Sequence, residues 1–298
     1  SYRLGLNTGF AVNRYSEPEE WTRVINKSGV KYAQFTADLL NVSLPNEIIK
    51  EQTLKINKSC DINEIEISST FTGAFTRVNH LAHPDSKIRD YWIEWFKRFV
   101  DLSHNLKSKM IGSHFGIFTT KDNSDENLRK IRLKENIDAW HKIGEYAIKK
   151  KMDCILWEPM SISREQGETL EKCQELQYLV NKNSPIPFKI CLDVDHGDLS
   201  SKNPEDTNPY SWLTKFGTDS PVIHLKQSLN SKSGHFPFTE EFNNQGKIIP
   251  KKVIETLKSI GVLDCDLILE LSFREREPAD SSVEKVLKES VDYWLPFV

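Results

Sequence analysis

Residues 188–196 read FKICLDVDH, an apolar β-type run that stops on a carboxylate, Asp193, and then turns polar. A strand of a parallel sheet ends this way when it delivers an ionisable group to the sheet's C-terminal edge. Burying such a group alone costs several kcal/mol, so the pattern asks for a partner. Working outward, ILWEPMS (155–161) ends on Glu158, VIHLKQS (222–228) carries His224, and LILELSF (267–273) carries Glu270. Four runs in succession therefore place a metal-capable side chain at the same point of the pattern.

Toward the N-terminus the runs continue, the first three without an ionisable end and the fourth closing with His114 in GSHFG. The whole set is Arg3 to Asn7, Lys31 to Thr36, Glu64 to Ser69, Lys109 to Phe115, Asp153 to Glu158, Phe188 to Asp193, Pro221 to Leu225 and Asp266 to Ser272. Helical patterns fall between them, near 17–29, 45–59, 86–108, 125–151, 165–182, 204–216, 250–262 and 281–295. Pro18, Pro45 and Pro204 stand where a first helical turn tolerates proline, and Gly29 and Gly261 where helices stop. Eight β-α units of about 37 residues predict an α/β fold, a single (β/α)8 TIM barrel spanning 1–298 as one domain. Four strands of a doubly wound sheet would explain part of the pattern, but no GxGxxG accompanies them. The longest loops are expected after the third, fifth and seventh strands, on the face where barrel active sites form.

Composition narrows the function classes. Forty basic against 43 acidic residues leave a formal charge of -3, which offers no general attraction to nucleic acid or an anionic membrane. No apolar run approaches the roughly 20 residues of a membrane span, and Ser1 to Phe10 lacks a leader pattern, so a cytoplasmic protein is expected. The five cysteines, Cys60, Cys154, Cys173, Cys191 and Cys265, are scattered without a CxxC, which favours buried thiols over a thiolate metal site. Trp92, Trp95, Phe96 and Phe99 fall at helical spacing and read as a packing face, and Lys149 to Lys151 as a helix end.

A single carboxylate at a strand end is more often a helix cap or loop partner than a ligand. Four in sequence, Glu158, Asp193, His224 and Glu270, point to one divalent metal ion. Three carboxylates and an imidazole favour Mn2+ or Mg2+, with Co2+ or Zn2+ as alternatives.

These residues carry a resemblance. Glu, Asp-x-x-His, His and Glu at the ends of strands 5 to 8 resemble the xylose-isomerase-like barrel superfamily of sugar isomerases and epimerases over essentially the full chain. The resemblance implies Glu158, Asp193, His224 and Glu270 as metal ligands and His196 as a substrate contact. STFTGAFTRVNHLAHPD (69–85), HLKQSLNSKSGHFPFT (224–239) and ELSFREREP (270–278) are similar to the tetrulose-phosphate branch. Its best-known activity is D-erythrulose 1-phosphate 3-epimerase in erythritol catabolism.

The implied chemistry is proton removal from carbon beside a carbonyl, with a Lewis-acidic ion stabilising the enediolate charge. Glu158 and Glu270 would act as base and acid from opposite sides of the sugar, giving inversion at C3 or, with return at a neighbouring carbon, isomerisation. His114, His80, His83 and His235 are further candidates to line the cavity, although His114, His80 and His83, each taken alone, read better as structural or surface histidines. For a phosphate, Lys226, Lys232, Ser233 and Gly234 in one loop and Arg274 and Arg276 in another are the candidates. FRERE alone would read as a solvated charged loop.

Other readings stay open. An apurinic-site endonuclease uses this barrel with a multi-zinc cluster, but the Asp-x-His it needs after strand 7 reads Ser233-Gly234-His235 here. A lyase or dehydratase could use the same enediolate, and a non-catalytic sugar-binding barrel would not need both glutamates. The expected partner is a small sugar phosphate, with no nucleic acid and no membrane. Exposed aromatic loop residues suggest a homodimer.

Overall fold

The computed structural model describes residues 1–230, 232–273 and 280–298. Its core is a closed barrel of eight parallel strands. They are β1 (Tyr2–Asn7), β2 (Tyr32–Thr36), β3 (Glu66–Phe71), β4 (Met110–His114), β5 (Cys154–Glu158), β6 (Phe188–Asp193) and β7 (Val222–Leu225). Outside the barrel follow the hairpin strands β8 (Gln227–Leu229) and β9 (Lys232–Phe236), and the eighth barrel strand is β10 (Cys265–Leu269). Strands β1 to β7 pair in chain order and β10 closes the ring between β7 and β1. The expected (β/α)8 barrel is therefore present.

The helices are α1 (Pro18–Ser28), α2 (Asn46–Asn63), α3 (Ser86–Asn105), α4 (Thr120–Ser124), α5 (Glu126–Lys149), α6 (Leu170–Asn181), α7 (Pro209–Phe216), α8 (Glu240–Asn243), α9 (Pro250–Ser259) and α10 (Val283–Trp294). In α1, Trp21, Val24, Ile25 and Ser28 recur every three to four residues and form its buried stripe. Gly29 ends it at φ +104°, a left-handed cap that glycine adopts freely. Among the described residues no helix is long and apolar enough to cross a membrane.

Among the boundaries that differ from the sequence reading, three have a clear local reason. Helix α2 continues to Asn63, with Glu64 in a left-handed cap, so β3 starts two residues later than expected. Helix α6 begins at Leu170, because 163–165 form a 3-10 turn and Thr169 supplies the cap to Lys172. The expected helix 204–216 divides into a 3-10 turn and α7, which Pro209 restarts.

Two apolar layers position the site. The larger lies between strands and helices; Trp95, Phe96 and Phe99 of α3 are buried in it and Trp92 packs against it, as the helical spacing predicts. The smaller joins Phe71, Cys154, Leu156, Cys191, Val222 and Ile268 from five strands in the barrel interior. All five cysteines are free and buried.

Candidate active site

Strand alternation carries the apolar floor of the barrel up to a polar layer two residues on. Leu156 gives way to Glu158, Cys191 to Asp193, Val222 to His224, and Ile268 to Glu270, which follows β10 directly. Register brings Asp193 level with His224 across β6 and β7. His224 Nδ1 lies 2.7 Å from Glu158 Oε2, 3.1 Å from Glu270 Oε2 and 4.0 Å from Asp193 Oδ2. The four side chains named from the strand ends thus converge on one point at the C-terminal mouth. His224 is wholly enclosed, and the edge of its ring meets Phe71 at 5.1 Å between centroids.

Lys226 departs from its expected place among phosphate-binding loop residues. It is completely buried, and its Nζ donates to Asp193 Oδ2 and Glu270 Oε1, each at 2.5 Å. The reason is alternation: two residues beyond His224, it points into the same layer. Burial raises the Glu270 carboxyl, but the charges of His224, Lys226 and His235 outweigh it and hold the group well below the usual carboxylate range. Asp193 is likewise lowered, with His196 and Lys226 overcoming its burial.

His196 closes the side of the cluster. Its Nδ1 donates to the Pro159 carbonyl at 2.8 Å, and its Nε2 is 3.4 Å from Asp193 Oδ2. Gly197 allows the turn: it sits at φ +131°, and a Cβ there would stand 2.1 Å from the Asp206 carbonyl oxygen. His235, in β9, reaches Glu270 Oε1 at 3.4 Å. The hairpin carrying it is tied to the loop after β6, because Asp195 accepts from Ser228 Oγ and, at 3.1 Å, from the Gly234 N–H. That amide is therefore engaged within the protein rather than presented to a phosphate. Arg274 and Arg276 lie outside the described residues.

His80 and His114 do not join the carboxylates. Their rings stack at 4.0 Å, and His80 also meets Trp92, Phe96 and Trp140, inside the aromatic layer. His114 Nε2 donates to the Val78 carbonyl at 3.1 Å. Burial lowers both, His114 to about 4 and His80 well below the usual histidine value. His80 further takes φ +35°, a strained setting for an L residue, in the loop where His83 Nδ1 accepts from the Asp85 N–H.

Among the described residues three overlapping groups could hold a metal: Asp193, His224 and Glu270; Glu158, Asp193 and His196; and Glu158, Cys191 and His224, with ligand atoms within 4.8 Å of one another in each. Burial pushes the Cys191 thiol up to about 12, which leaves the oxygen and imidazole donors as the better set. Three carboxylates around one imidazole, with only one lysine among them, fit a hard divalent cation.

Sequence reasoning missed the residues behind His224. Gln34 Oε1 lies 2.6 Å from His224 Nε2 and accepts from Asn7 Nδ2 at 2.8 Å, while Gln34 Nε2 donates to Ser69 Oγ at 3.1 Å. A buried amide in the middle of YAQFT was the available signal, because a central strand rarely carries one without a partner. It also missed Glu165, which is buried beside the site loops and accepts from Arg77 at 2.7 Å.

A closed parallel barrel with an acidic, histidine-containing mouth serves several enzyme classes, and comparison with known proteins selects one of them. The chain belongs to the xylose isomerase-like TIM barrel family, whose model matches residues 22–296. It is a sugar epimerase/isomerase by class. A curated relative, D-erythrulose 1-phosphate 3-epimerase of Brucella abortus (strain 2308), is 39% identical over 297 residues, 99% of this chain and 96% of that protein. A solved structure from Rhodospirillum rubrum ATCC 11170, named after xylose isomerase, superposes over the full length of both chains with TM-score 0.91 at 20% identity. D-psicose 3-epimerase of Clostridium cellulolyticum H10 matches with TM-score 0.70 at 14% identity, covering 99% of this chain and 97% of that one. At such identities these two structures speak for the fold alone.

Proposed function

We propose that this chain is a divalent-metal-dependent 3-epimerase of a small keto-sugar phosphate, tetrulose phosphate first, acting as one barrel domain of residues 1–298. The observation that carries the reading is the approach of Glu158 and Glu270 to the same nitrogen of His224 from strands three apart in the barrel order. Two carboxylates at one opening, arriving from different sides, are what inversion at a single carbon requires. The name of the 39% identical relative supports the substrate class and the position of inversion.

Glu158, Asp193, His224 and Glu270 would hold the ion, Mn2+ or Mg2+ by the hardness of the donors. When bound, the cation supplies Lewis acidity for the negative charge that develops on the sugar oxygens. Glu270 stands ionised between Lys226 and His235 and takes the C3 proton; Glu158 returns one from the other face. His196, its Nδ1 committed to the Pro159 carbonyl, presents Nε2 toward the sugar. Lys226 stays with Asp193 and Glu270 and keeps the acidic layer from carrying uncompensated charge. The dry floor of Leu156, Cys191, Val222 and Ile268 strengthens every one of these charge interactions. Arg274 and Arg276 complete the proposal as the phosphate contacts.

The test is turnover of tetrulose and pentulose phosphates by the Mn2+-loaded protein in D2O, followed by NMR. Deuterium at C3 with inversion is expected; deuterium at C1 or C2 instead would make the enzyme an aldose-ketose isomerase. Arg276→Ala is expected to raise KM for the phosphorylated sugar much more than for its dephosphorylated form.

A further inference from the structure

A backbone amide in the first strand's turn dictates which nitrogen His224 offers to the cluster. The Gly9 N–H donates to Asn7 Oδ1 at 2.8 Å. An N–H can only donate, so this contact fixes the Asn7 amide with its oxygen toward Gly9 and its NH2 toward Gln34. Asn7 Nδ2 then donates to Gln34 Oε1 at 2.8 Å, which leaves Gln34 no choice of orientation: its oxygen faces Asn7, and its Nε2 donates to Ser69 Oγ. The same Oε1 is 2.6 Å from His224 Nε2. An acceptor there demands a hydrogen on Nε2, and the lone pair of the neutral ring falls on Nδ1, the nitrogen facing Glu158 and Glu270. Gln34 and His224 are fully buried, so water cannot substitute for the link between them.

We propose that Gln34, oriented by Asn7, is the positioning residue that commits His224 to bind the cation through Nδ1. This rests on the metal reading above and deepens it. Groups that donate or accept behind a ligating histidine hold its ring and tautomer, and losing them typically costs 10- to 100-fold in metal affinity. Gln34 contacts no reacting atom in this scheme; it acts through His224.

The experiment compares Mn2+ affinity, read by electron paramagnetic resonance of the free ion, in the wild type, Gln34→Met, Gln34→Glu and Asn7→Asp. Gln34→Met is expected to weaken Mn2+ binding by about 10- to 100-fold, whereas Gln34→Glu, which still accepts from Nε2–H, retains wild-type affinity or better. Asn7→Asp is close to isosteric but offers Gln34 an acceptor. Gln34 then turns its NH2 toward both neighbours, a hydrogen on His224 Nε2 is disfavoured, and affinity falls by about tenfold or more. Zn2+-loaded wild type is expected to show, in long-range 1H–15N spectra, a slowly exchanging hydrogen on His224 Nε2. Equal affinity in all four proteins, or a hydrogen on Nδ1, overturns the positioning role while leaving the metal site standing. Wild type that binds no Mn2+ overturns both. A urea midpoint for each variant separates lost affinity from lost folding, and the wild-type spectrum is independent of any variant.

Discussion

His80 and His114 show how a buried pair sets acid sensitivity. Both are held neutral by burial, His114 at about 4 against an ordinary 6.5. A depressed histidine contributes stability that is intact above pH 6.5 and is lost as pH falls, because the unfolded chain takes up a proton that the folded one refuses. His224 is raised despite its burial, through Cys191, Glu270 and Glu158, so its contribution is constant below 6.5. Asp193 and Glu270 are depressed and lose their contribution only below the ordinary carboxylate range. Between pH 7 and 5 the stacked pair therefore dominates this set. Urea unfolding of the metal-free protein is expected to lose about 2 kcal/mol over that interval from His114 alone, and His114→Asn to flatten the dependence. Lys226 is the opposite case, a buried cation among carboxylates. In the metal-free protein Lys226→Met strands Asp193 and Glu270 and is expected to cost about 3–5 kcal/mol, read as a lower urea midpoint.

At the scale of elements, the hairpin of β8 and β9 is the part of the site that lies outside the barrel sheet. It is held to the barrel mouth by Asp195, through Ser228 Oγ and the Gly234 amide, and it carries His235 to Glu270. Asp195→Ala is expected to speed hydrogen exchange at Gly234 severalfold and raise KM with little change in the urea midpoint. The strands and the carboxylate-bearing ends were legible in the sequence because a parallel strand is apolar along its length, so a charged residue at its end stands out. The same logic hid what mattered inside. Gln34 and Asn7 lie on early strands that end in no charge, and their significance appears only when β1 and β2, paired side by side, meet β7 across the barrel. Lys226 looked like a loop cation because β7 is only four residues long, and one further alternation was needed to see it turn inward. His80 was misplaced because a loop histidine has no periodicity to reveal which side of the wall it occupies.

For the molecule as a whole, a cation bound by four strands would join β5, β6, β7 and β10 at one end of the barrel. A ligand at 100 times its dissociation constant stabilises by about 2.7 kcal/mol. Removal of Mn2+ by chelation is therefore expected to lower Tm by about 5 °C or more while far-UV circular dichroism is unchanged, with recovery on adding Mn2+ back. Phe75 and Tyr91 are 66% and 55% exposed and Val78 is half-exposed, apolar surface that the expected homodimer would cover. Sedimentation is expected to show a dimer that Phe75→Ser shifts toward monomer.

The plug of Phe71, Leu156, Cys191, Val222 and Ile268 has one more implication. With the channel corked from below, whatever reaches the carboxylates would come and go by the C-terminal mouth, on the side where the hairpin brings His235 to Glu270. Traffic through it would be last in and first out. A metal ion seated beneath a sugar would be held until the sugar leaves, so a chelator is expected to strip the resting enzyme faster than the enzyme at work.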